Sequence, residues 1–182
     1  HDDRMVMKPR LAAGPDGTLY VVWAETGYPS TFPPLGIYLA TSTDGGQTWS
    51  SPFPLAEGPY DDPGIIVRGR REAHVVWSGT ASDRFKFHRW SPDGGKTWSE
   101  MWRNTDLGGI QGWPALVLDS NQTLHWLMVG TVFSTQNDSL YYTTWTEGGW
   151  SPGIVVLPGI ATTGQNPAFV SAAVAGGNML HL

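Results

Sequence analysis

An acidic pair, Asp61-Asp62, is the part of this sequence with the most direct potential for chemistry. Glycoside hydrolysis usually needs two carboxyl groups at a defined separation, one to donate a proton and one to act as base or nucleophile. Neighbouring residues of a β-strand, however, point to opposite faces of the sheet. We therefore expect Asp61 and Asp62 to act separately, as a loop cap or a single ligand contact, and not as a cooperating pair.

The histidines do not have the spacing of a metal site. Neither His-x-His nor His-Glu-x-x-His occurs in the sequence, and these are the spacings that place two imidazoles on one zinc ion. His74, His125 and His181 recur at one position of a repeated strand, which favours a packing role with a ring N–H bonded between repeat units. His88 lies beside Arg89 and is predicted to be at the surface. We assign no metal and no cofactor.

A repeated turn organises the elements around these residues. The stretch Ser42 to Trp49 reads STDGGQTW, and Ser91 to Trp98 reads SPDGGKTW. The aspartate can accept backbone N–H bonds across the turn, the Gly-Gly pair allows positive φ, and the threonine hydroxyl can bond back to the aspartate. The tryptophan is then placed to anchor the turn on the body of the protein.

The pattern Ser-x-Asp-x-Gly-x-Thr-Trp resembles the Asp-box, or bacterial neuraminidase repeat, found in sialidases and other β-propellers. The resemblance assigns a structural role to ten residues, namely Ser42, Asp44, Gly46, Thr48, Trp49, Ser91, Asp93, Gly95, Thr97 and Trp98. A folded turn of this kind does no chemistry, and propellers of unrelated function share it. The motif is therefore informative about fold and says little about function.

A proline followed by a short apolar strand recurs at intervals of about 50 residues, which is the length of a propeller blade. These first strands are Pro9–Ala12, Pro63–Val67, Pro114–Val117 and Pro167–Val170. Second strands are predicted at Leu19–Glu25, Ala73–Gly79, Leu124–Gly130 and Asn178–Leu182. Third strands are predicted at Gly36–Thr41, Phe85–Trp90 and Leu140–Trp145, and fourth strands begin at Trp49, Trp98 and Trp150. Each unit is then a four-stranded antiparallel sheet.

We predict an all-β fold, a sialidase-like β-propeller with about three and a half four-stranded blades. The predicted units are 7–58, 59–109, 110–160 and an incomplete 161–182, within a single partial propeller domain 1–182. A six-bladed propeller, as in sialidases, would need roughly 300 residues at this blade length. The sequence is therefore predicted to be a segment of a longer protein, or one whose ring is completed by a partner chain.

The resemblance also predicts where a ligand would bind. In sialidase-like propellers the ligand funnel lies at the start of each first strand, and the Asp-boxes lie on the opposite face. The corresponding positions here are Met7, Lys8, Asp61, Asp62, Gly112, Trp113, Gln165 and Asn166. Sialidases hold the substrate carboxylate with three arginines, the first of them two residues before the opening proline, because guanidinium groups bind carboxylates bidentately. None of the four equivalent positions here is arginine, so we assign no catalytic residue.

Trp113 departs from the periodicity of the other tryptophans. Trp23 and Trp77 recur on second strands, and Trp49, Trp98 and Trp150 follow the turns, so we predict that these five belong to the core. A tryptophan at the funnel can stack on the apolar face of a sugar ring; the alternative is a wedge between blades. The candidate ligand-binding residues are Asp62, Trp113 and Asn166, with Tyr28 and Arg84 from the loops after second strands.

Composition limits the classes of partner. The formal net charge is −5 and the eleven lysines and arginines are scattered, except in Arg68-Gly69-Arg70-Arg71. A nucleic-acid footprint needs more positive charge on one face, so nucleic acid is excluded, and no apolar run is long enough to span a membrane. There is no cysteine. The triplets Asn121-Gln122-Thr123 and Asn137-Asp138-Ser139 are either glycosylation sites or simple turns.

Three functions stay open at this point. The first is a secreted, cell-surface or periplasmic module that binds a glycan or a partner protein without a recognisable catalytic set. The second is an exo-acting glycoside hydrolase of sialidase type whose catalytic arginines and tyrosine lie outside these residues. The third is a propeller scaffold in a larger assembly.

Overall fold

The computed structural model describes residues 3–30, 32–80, 83, 85–108, 112–132, 137–146, 148–161, 168–176 and 178–182, with only the main chain at 137, 160, 161 and 168. Within these residues every regular element is a β-strand, and no helix occurs that could span a membrane. The chain divides into two compact units, His1–Arg103 and Asn104–Leu182.

The first unit contains seven complete strands. They are β1 (Arg4–Ala13), β2 (Leu19–Gly27), β3 (Gly36–Ser42), β4 (Phe53–Glu57), β5 (Tyr60–Arg68), β6 (Glu72–Gly79) and β7 (Phe85–Ser91). Strands β1 to β4 form one antiparallel sheet in sequence order, and β5, β6 and β7 pair in the same way. The boundary between the units falls inside β8 (Trp102–Gly108).

The core of the first unit lies between these two sheets. Val22 and Ala24 of β2 pack with Val75 and Trp77 of β6, and all four side chains are buried. Alternation places these residues on one side of each strand, because successive side chains of a strand point to opposite faces. Burying an aliphatic or aromatic side chain of this size contributes about 1.5–3 kcal/mol, so packing of the two sheets stabilises the unit.

The second unit is built around a central pair of long strands. Its strands are β9 (Gly112–Trp113), β10 (Ala115–Leu118), β11 (Leu124–Val132), β12 (Asn137–Thr146), β13 (Gly149–Trp150), β14 (Ile154–Ala161), β15 (Ala168–Phe169), β16 (Ala173–Ala175) and β17 (Met179–His181). β11 pairs with β10 and β12, β12 pairs with β13 and β14, and β16 forms a hairpin with β17. β15 pairs with β9 in parallel.

The two repeated turns adopt one hydrogen-bonded structure. In the first, Asp44 Oδ1 accepts from the Ser42 hydroxyl at 2.8 Å and from the Thr48 backbone N–H at 2.9 Å. In the second, Asp93 Oδ1 accepts from the Ser91 hydroxyl at 2.8 Å and the Thr97 N–H at 2.9 Å. Hydrogen bonds to these carboxylates, chiefly from the threonines, lower the pKa of Asp44 and that of Asp93 to about 2. Both aspartates are therefore ionised across the physiological pH range.

The glycines of the turns are required by backbone geometry. Gly45 and Gly46 have φ of 74° and 91°, and Gly94 and Gly95 have φ of 82° and 90°. Two successive residues in this region are readily available only to glycine. The chain then reverses so that the tryptophan indole N–H donates to the carbonyl of the second glycine at 3.2 Å in both turns.

The predicted second and third strands agree with the observed ones to within about two residues, except that β12 begins at Asn137 and not at Leu140. The predicted fourth strands begin too early in the sequence, because β4 begins at Phe53 and not at Trp49. The prediction that the turn tryptophans belong to the core is wrong for Trp49, which is 41% exposed, while Trp77 is 1% exposed as expected. The indole of Trp49 covers its own turn, and its ring N–H is satisfied there.

Candidate functional site

A cluster of charged groups connects the first sheet to the second at their pre-proline residues. Lys8 Nζ donates to Asp61 Oδ2 at 2.6 Å and to Asp62 Oδ1 at 2.7 Å. The Asp62 side chain is fully buried, whereas those of Asp61 and Lys8 are 11% and 25% exposed. The predicted funnel positions of the first two repeats therefore meet in space, although they are more than 50 residues apart in sequence.

Both carboxylates reach the same ammonium group because the strands are irregular here. The expectation that Asp61 and Asp62 point to opposite faces is wrong. Register shifts interrupt β1 between Met7 and Arg10 and β5 between Asp61 and Gly64. Lys8 and Asp62 have φ of 53° and 51°, a conformation that costs a non-glycine residue about 1–3 kcal/mol and concentrates at functional sites.

A second lysine lies close to this pair. Lys86 of β7 is only 2% exposed, and its Nζ donates to the Ser78 hydroxyl at 2.9 Å. Burial lowers the pKa of Lys86 to about 8, although the nearby Asp62 carboxylate opposes the shift. We call Lys8, Asp61, Asp62, Ser78 and Lys86 the charged cluster.

Asp62 is the most deeply buried carboxylate of the charged cluster. Its Oδ2 atom is buried and has no hydrogen-bond partner among the described residues. Burial raises the pKa of Asp62, and the hydrogen bond from Lys8 opposes this rise. A buried carboxylate with one unsatisfied oxygen is poised to hold a proton at higher pH than a solvated aspartate. The chemistry available to the charged cluster is therefore that of a weak acid held between two amines.

An exposed pair of aromatic side chains lies in the second unit. Trp113 and Phe169 are directly opposed in the parallel pairing of β9 with β15. Their ring centroids are 5.0 Å apart, with an interplanar angle of 89°. Trp113 is 36% exposed and Phe169 is 65% exposed. We call these two residues the aromatic pair; together they present apolar ring surface to solvent.

Of the remaining predicted ligand residues, the structure describes Tyr28. The Tyr28 side chain is 66% exposed, and its backbone N–H donates to the Asp3 carbonyl at 2.6 Å. Arg84 and Asn166 lie outside the described residues. Their roles in ligand binding stay predictions, as do those of Asp62 and Trp113.

The histidine prediction is partly wrong. His88 is 1% exposed and not at the surface. His74 Nε2 lies 2.7 Å from Glu72 Oε1, and its Nδ1 lies 3.0 Å from His88 Nε2. Since a carboxylate only accepts, His74 donates through Nε2 and accepts the N–H of His88 through Nδ1. These bonds lie within one sheet and not between repeat units.

Two of the residues described above, Lys86 and Phe169, were missed by sequence reasoning. Lys86 carried a detectable signal, since it lies between Phe85 and Phe87 and pairs across the strands with Ser78, where an isolated charge is unusual. Phe169 carried no signal beyond its apolar type. Among the described residues no group of three or more histidine, aspartate or glutamate side chains is arranged to hold a metal ion.

Comparison with known structures shows the fold. A Dyadobacter fermentans protein of unknown function matches with a TM-score of 0.69 at 15% identity, over 99% of this chain. A Hadza microbial sialidase, Hz136, matches with a TM-score of 0.58 at 16% identity, over 82% of this chain. A Penicillium chrysogenum α-L-arabinanase complexed with arabinobiose matches with a TM-score of 0.61 at 17% identity, over 94%. The chain is all-β with antiparallel sheets, and the sialidase and the arabinanase to which it is similar in structure are β-propeller glycosidases.

The comparisons by sequence give no assignment of family. No protein-family model matches the chain, and no curated protein is significantly similar to it. The chain spans 62%, 37% and 56% of the lengths of the three structures named above. At these identities the likeness concerns fold alone.

Proposed function

We propose that this chain belongs to a carbohydrate-recognising protein and that the aromatic pair contacts the sugar. The observation that carries the proposal is the exposed edge-to-face arrangement of Trp113 and Phe169 at a predicted funnel position. The apolar face of a sugar ring stacks on an indole, and a second ring set at a right angle adds an apolar wall. The structural likeness to a sialidase and an arabinanase supports the same substrate class.

The geometry of the aromatic pair favours ligand contact over a purely structural wedge. A tryptophan that only filled space between strands would have little exposed ring surface, as for Trp126 at 1%. Trp113 keeps 36% of its surface exposed, and Phe169 beside it keeps 65%. Two adjacent exposed aromatic rings form a contiguous apolar patch, and such patches mark ligand-binding grooves.

Replacing Trp113 by Ala should weaken glycan binding by about tenfold, because the stacking surface is lost. A glycan array identifies the bound class, and calorimetric titration with arabinobiose and 3′-sialyllactose provides the affinities. Phe169→Ala should weaken binding by a smaller factor.

Trp49→Ala is the matched control, since Trp49 is 41% exposed and lies in the first repeated turn. This variant should bind as the unchanged protein does. If neither sugar nor array glycan binds, or if both tryptophan variants lose affinity equally, the aromatic pair is not the recognition site.

Glycoside hydrolysis is a second candidate function, favoured by the charged cluster. Burial raises the pKa of Asp62, as a general acid requires. Intact protein is expected to release fluorophore from a 4-methylumbelliferyl sialoside or arabinofuranoside, and Asp62→Asn is expected to reduce the rate by at least about a hundredfold. Unchanged turnover in Asp62→Asn would exclude this role, and Arg70→Ala, an exposed substitution, serves as the control.

The proposal includes that this chain forms part of a β-propeller and that further blades complete the ring. Val6 and Leu11 of β1 are 62% and 63% exposed, and two large apolar side chains on one strand favour coverage by a further blade from the same or another chain. An extracellular, cell-surface or periplasmic location accompanies a glycan ligand. If no glycan on the array binds, we infer instead that the chain is a structural scaffold.

A further inference from the structure

A polar pocket separates the two repeated turns of the first unit. It has a volume of about 310 Å³ and is lined by Thr18, Thr41, Thr43, Arg71, Asp93, Gly94, Gly95 and Lys96. None of these residues belongs to the charged cluster or the aromatic pair. We call this pocket the turn pocket. Its size suits a small molecule or one substituted sugar ring.

The acceptor groups of the turn pocket are already used. Asp93 Oδ1 accepts from the Ser91 hydroxyl and from the N–H groups of Lys96 and Thr97, and Oδ2 accepts from the Thr97 hydroxyl at 2.7 Å. Asp16, beside the pocket, accepts Arg71 Nε at 2.7 Å and the Thr18 N–H at 3.1 Å. A ligand that donates hydrogen bonds would therefore find few free carboxylate oxygens in the turn pocket.

The donor groups of the turn pocket are largely unused. Arg71 donates through Nε alone, so its two Nη groups make no hydrogen bond or ion pair among the described residues, and the same holds for Lys96 Nζ. Such an arrangement calls for a ligand that accepts hydrogen bonds and carries negative charge. A guanidinium fork and an ammonium group together match the oxygens of an oxyanion.

A buried hydroxyl lies close to Gly94, one of the residues that line the turn pocket. Tyr20 is fully buried, and its hydroxyl has no hydrogen-bond partner among the described residues. It lies directly beneath Gly94, where an added Cβ would be 3.3 Å from the hydroxyl and 3.7 Å from Arg71 Cδ. Burial raises the pKa of Tyr20, so the hydroxyl stays protonated and remains a donor. Because no part of Tyr20 is exposed, its hydroxyl packs behind Gly94 and is not a donor to a ligand in the turn pocket.

The first repeated turn lacks these features. An added Cβ at Gly45 would meet nothing within 4 Å, whereas the equivalent Gly94 is backed by Tyr20 and Arg71. The Gly94 N–H also donates to the Arg71 carbonyl at 3.0 Å, which fixes this arginine against the second turn. The two turns share their internal hydrogen bonds, so the difference between them arises from the neighbouring hairpin.

We propose that the turn pocket binds a sulfate or phosphate group, free or carried by a small molecule, through Arg71 and Lys96. This site is separate from the proposed sugar contact at the aromatic pair and does not depend on it. It would give a propeller of this type a second ligand site, at its repeated turns.

The test is titration of the intact chain with sodium sulfate and with sodium phosphate at constant ionic strength, sodium chloride being the compensating salt. The Gly94 and Gly95 amide resonances should shift and saturate, while the Gly45 and Gly46 resonances act as an internal reference. Lys96→Ala and Arg71→Ala should each raise the dissociation constant by about tenfold, as expected for loss of a charged hydrogen bond.

Arg70→Ala is the matched control, because Arg70 is exposed in the same hairpin turn and does not line the turn pocket. It should leave the dissociation constant unchanged, and Lys96→Arg should restore most of the affinity lost in Lys96→Ala. Absence of saturable shifts in the unchanged protein overturns the proposal. Equal weakening by Arg70→Ala and Lys96→Ala also overturns it, since binding would then reflect diffuse charge.

Discussion

Replacing Lys8 by Met is expected to lower the free energy of unfolding by about 3 kcal/mol, because one partner of a buried charge pair is removed. Lys8 bonds both Asp61 and Asp62, and the Asp62 side chain is completely buried. Without the ammonium group, the Asp62 carboxylate keeps its desolvation penalty and loses its closest counter-charge. Denaturant unfolding of the variant at neutral pH measures the loss.

The dependence on Asp62 has a clear signature in pH. Burial raises the folded-state pKa of Asp62 above its unfolded value. The free energy of unfolding therefore falls as the pH rises from the unfolded-state pKa to the folded-state pKa of this group. Loss of Lys8 raises that pKa further, and the deficit of Lys8→Met should shrink as the pH is lowered to about 3, where Asp62 is largely protonated in the folded and the unfolded state. The comparison with unchanged protein at each pH removes contributions from other groups.

Two further variants decide between a buried network and a surface ion pair. The double variant Lys8→Met, Asp62→Asn should regain a large part of the lost stability, because it buries no uncompensated charge. Lys96→Met, in which an exposed lysine without an ion-pair partner among the described residues is replaced, should change stability by less than about 0.5 kcal/mol. Equal effects of Lys8→Met and Lys96→Met would contradict the role assigned to Lys8.

Acidification from pH 7 to about 5.5 is expected to remove about 2 kcal/mol of stability through His74 and His88. Burial lowers the pKa of both imidazoles, and for His88 the neighbouring His74 adds to the effect. Their folded-state pKa values therefore lie below the unfolded value of about 6.5. The contribution of the two neutral imidazoles to the free energy of unfolding is present above about pH 6.5. It is lost as the pH falls toward their folded-state pKa values.

His88→Gln is the variant that isolates this effect. Glutamine can still donate to His74 Nδ1 and does not titrate, so the loss of stability on acidification should fall by about half. Asp62 responds to pH with the opposite sign, and the difference between variant and unchanged protein cancels its contribution. His181→Gln, at an exposed histidine, is the control. An identical pH dependence in His88→Gln and the unchanged protein would show that the pair does not govern acid stability.

The charged cluster is partly exposed to solvent, whereas the histidine pair, His74 and His88, is buried. The cluster lies at predicted funnel positions, with Lys8 and Asp61 partly exposed. The histidine pair is buried, and His74 bonds Glu72, which also accepts from Arg68 Nη1 at 3.0 Å. We therefore expect substitutions in the cluster to change ligand chemistry and stability together, and substitutions in the histidine pair to change stability alone.

The sequence by itself determined the repeated turns and the order of strands. A turn is specified by groups within eight residues of each other: the hydroxyl of Ser42, the carboxylate of Asp44, two glycines with positive φ and Thr48. These interactions are local, so the same residues give the same structure wherever they occur. Alternation of apolar residues and the recurrent prolines placed the second and third strands in the same way.

Only the tertiary structure decided what meets at the candidate sites. Lys8 contacts Asp61 and Asp62 because register shifts in two strands turn their side chains toward each other, and no local rule predicts such shifts. The burial of Lys86 and His88 depends on which strand face another element covers. Local chemistry therefore specified the scaffold of this protein, whereas packing between distant segments specified its charges, its buried histidines and its turn pocket.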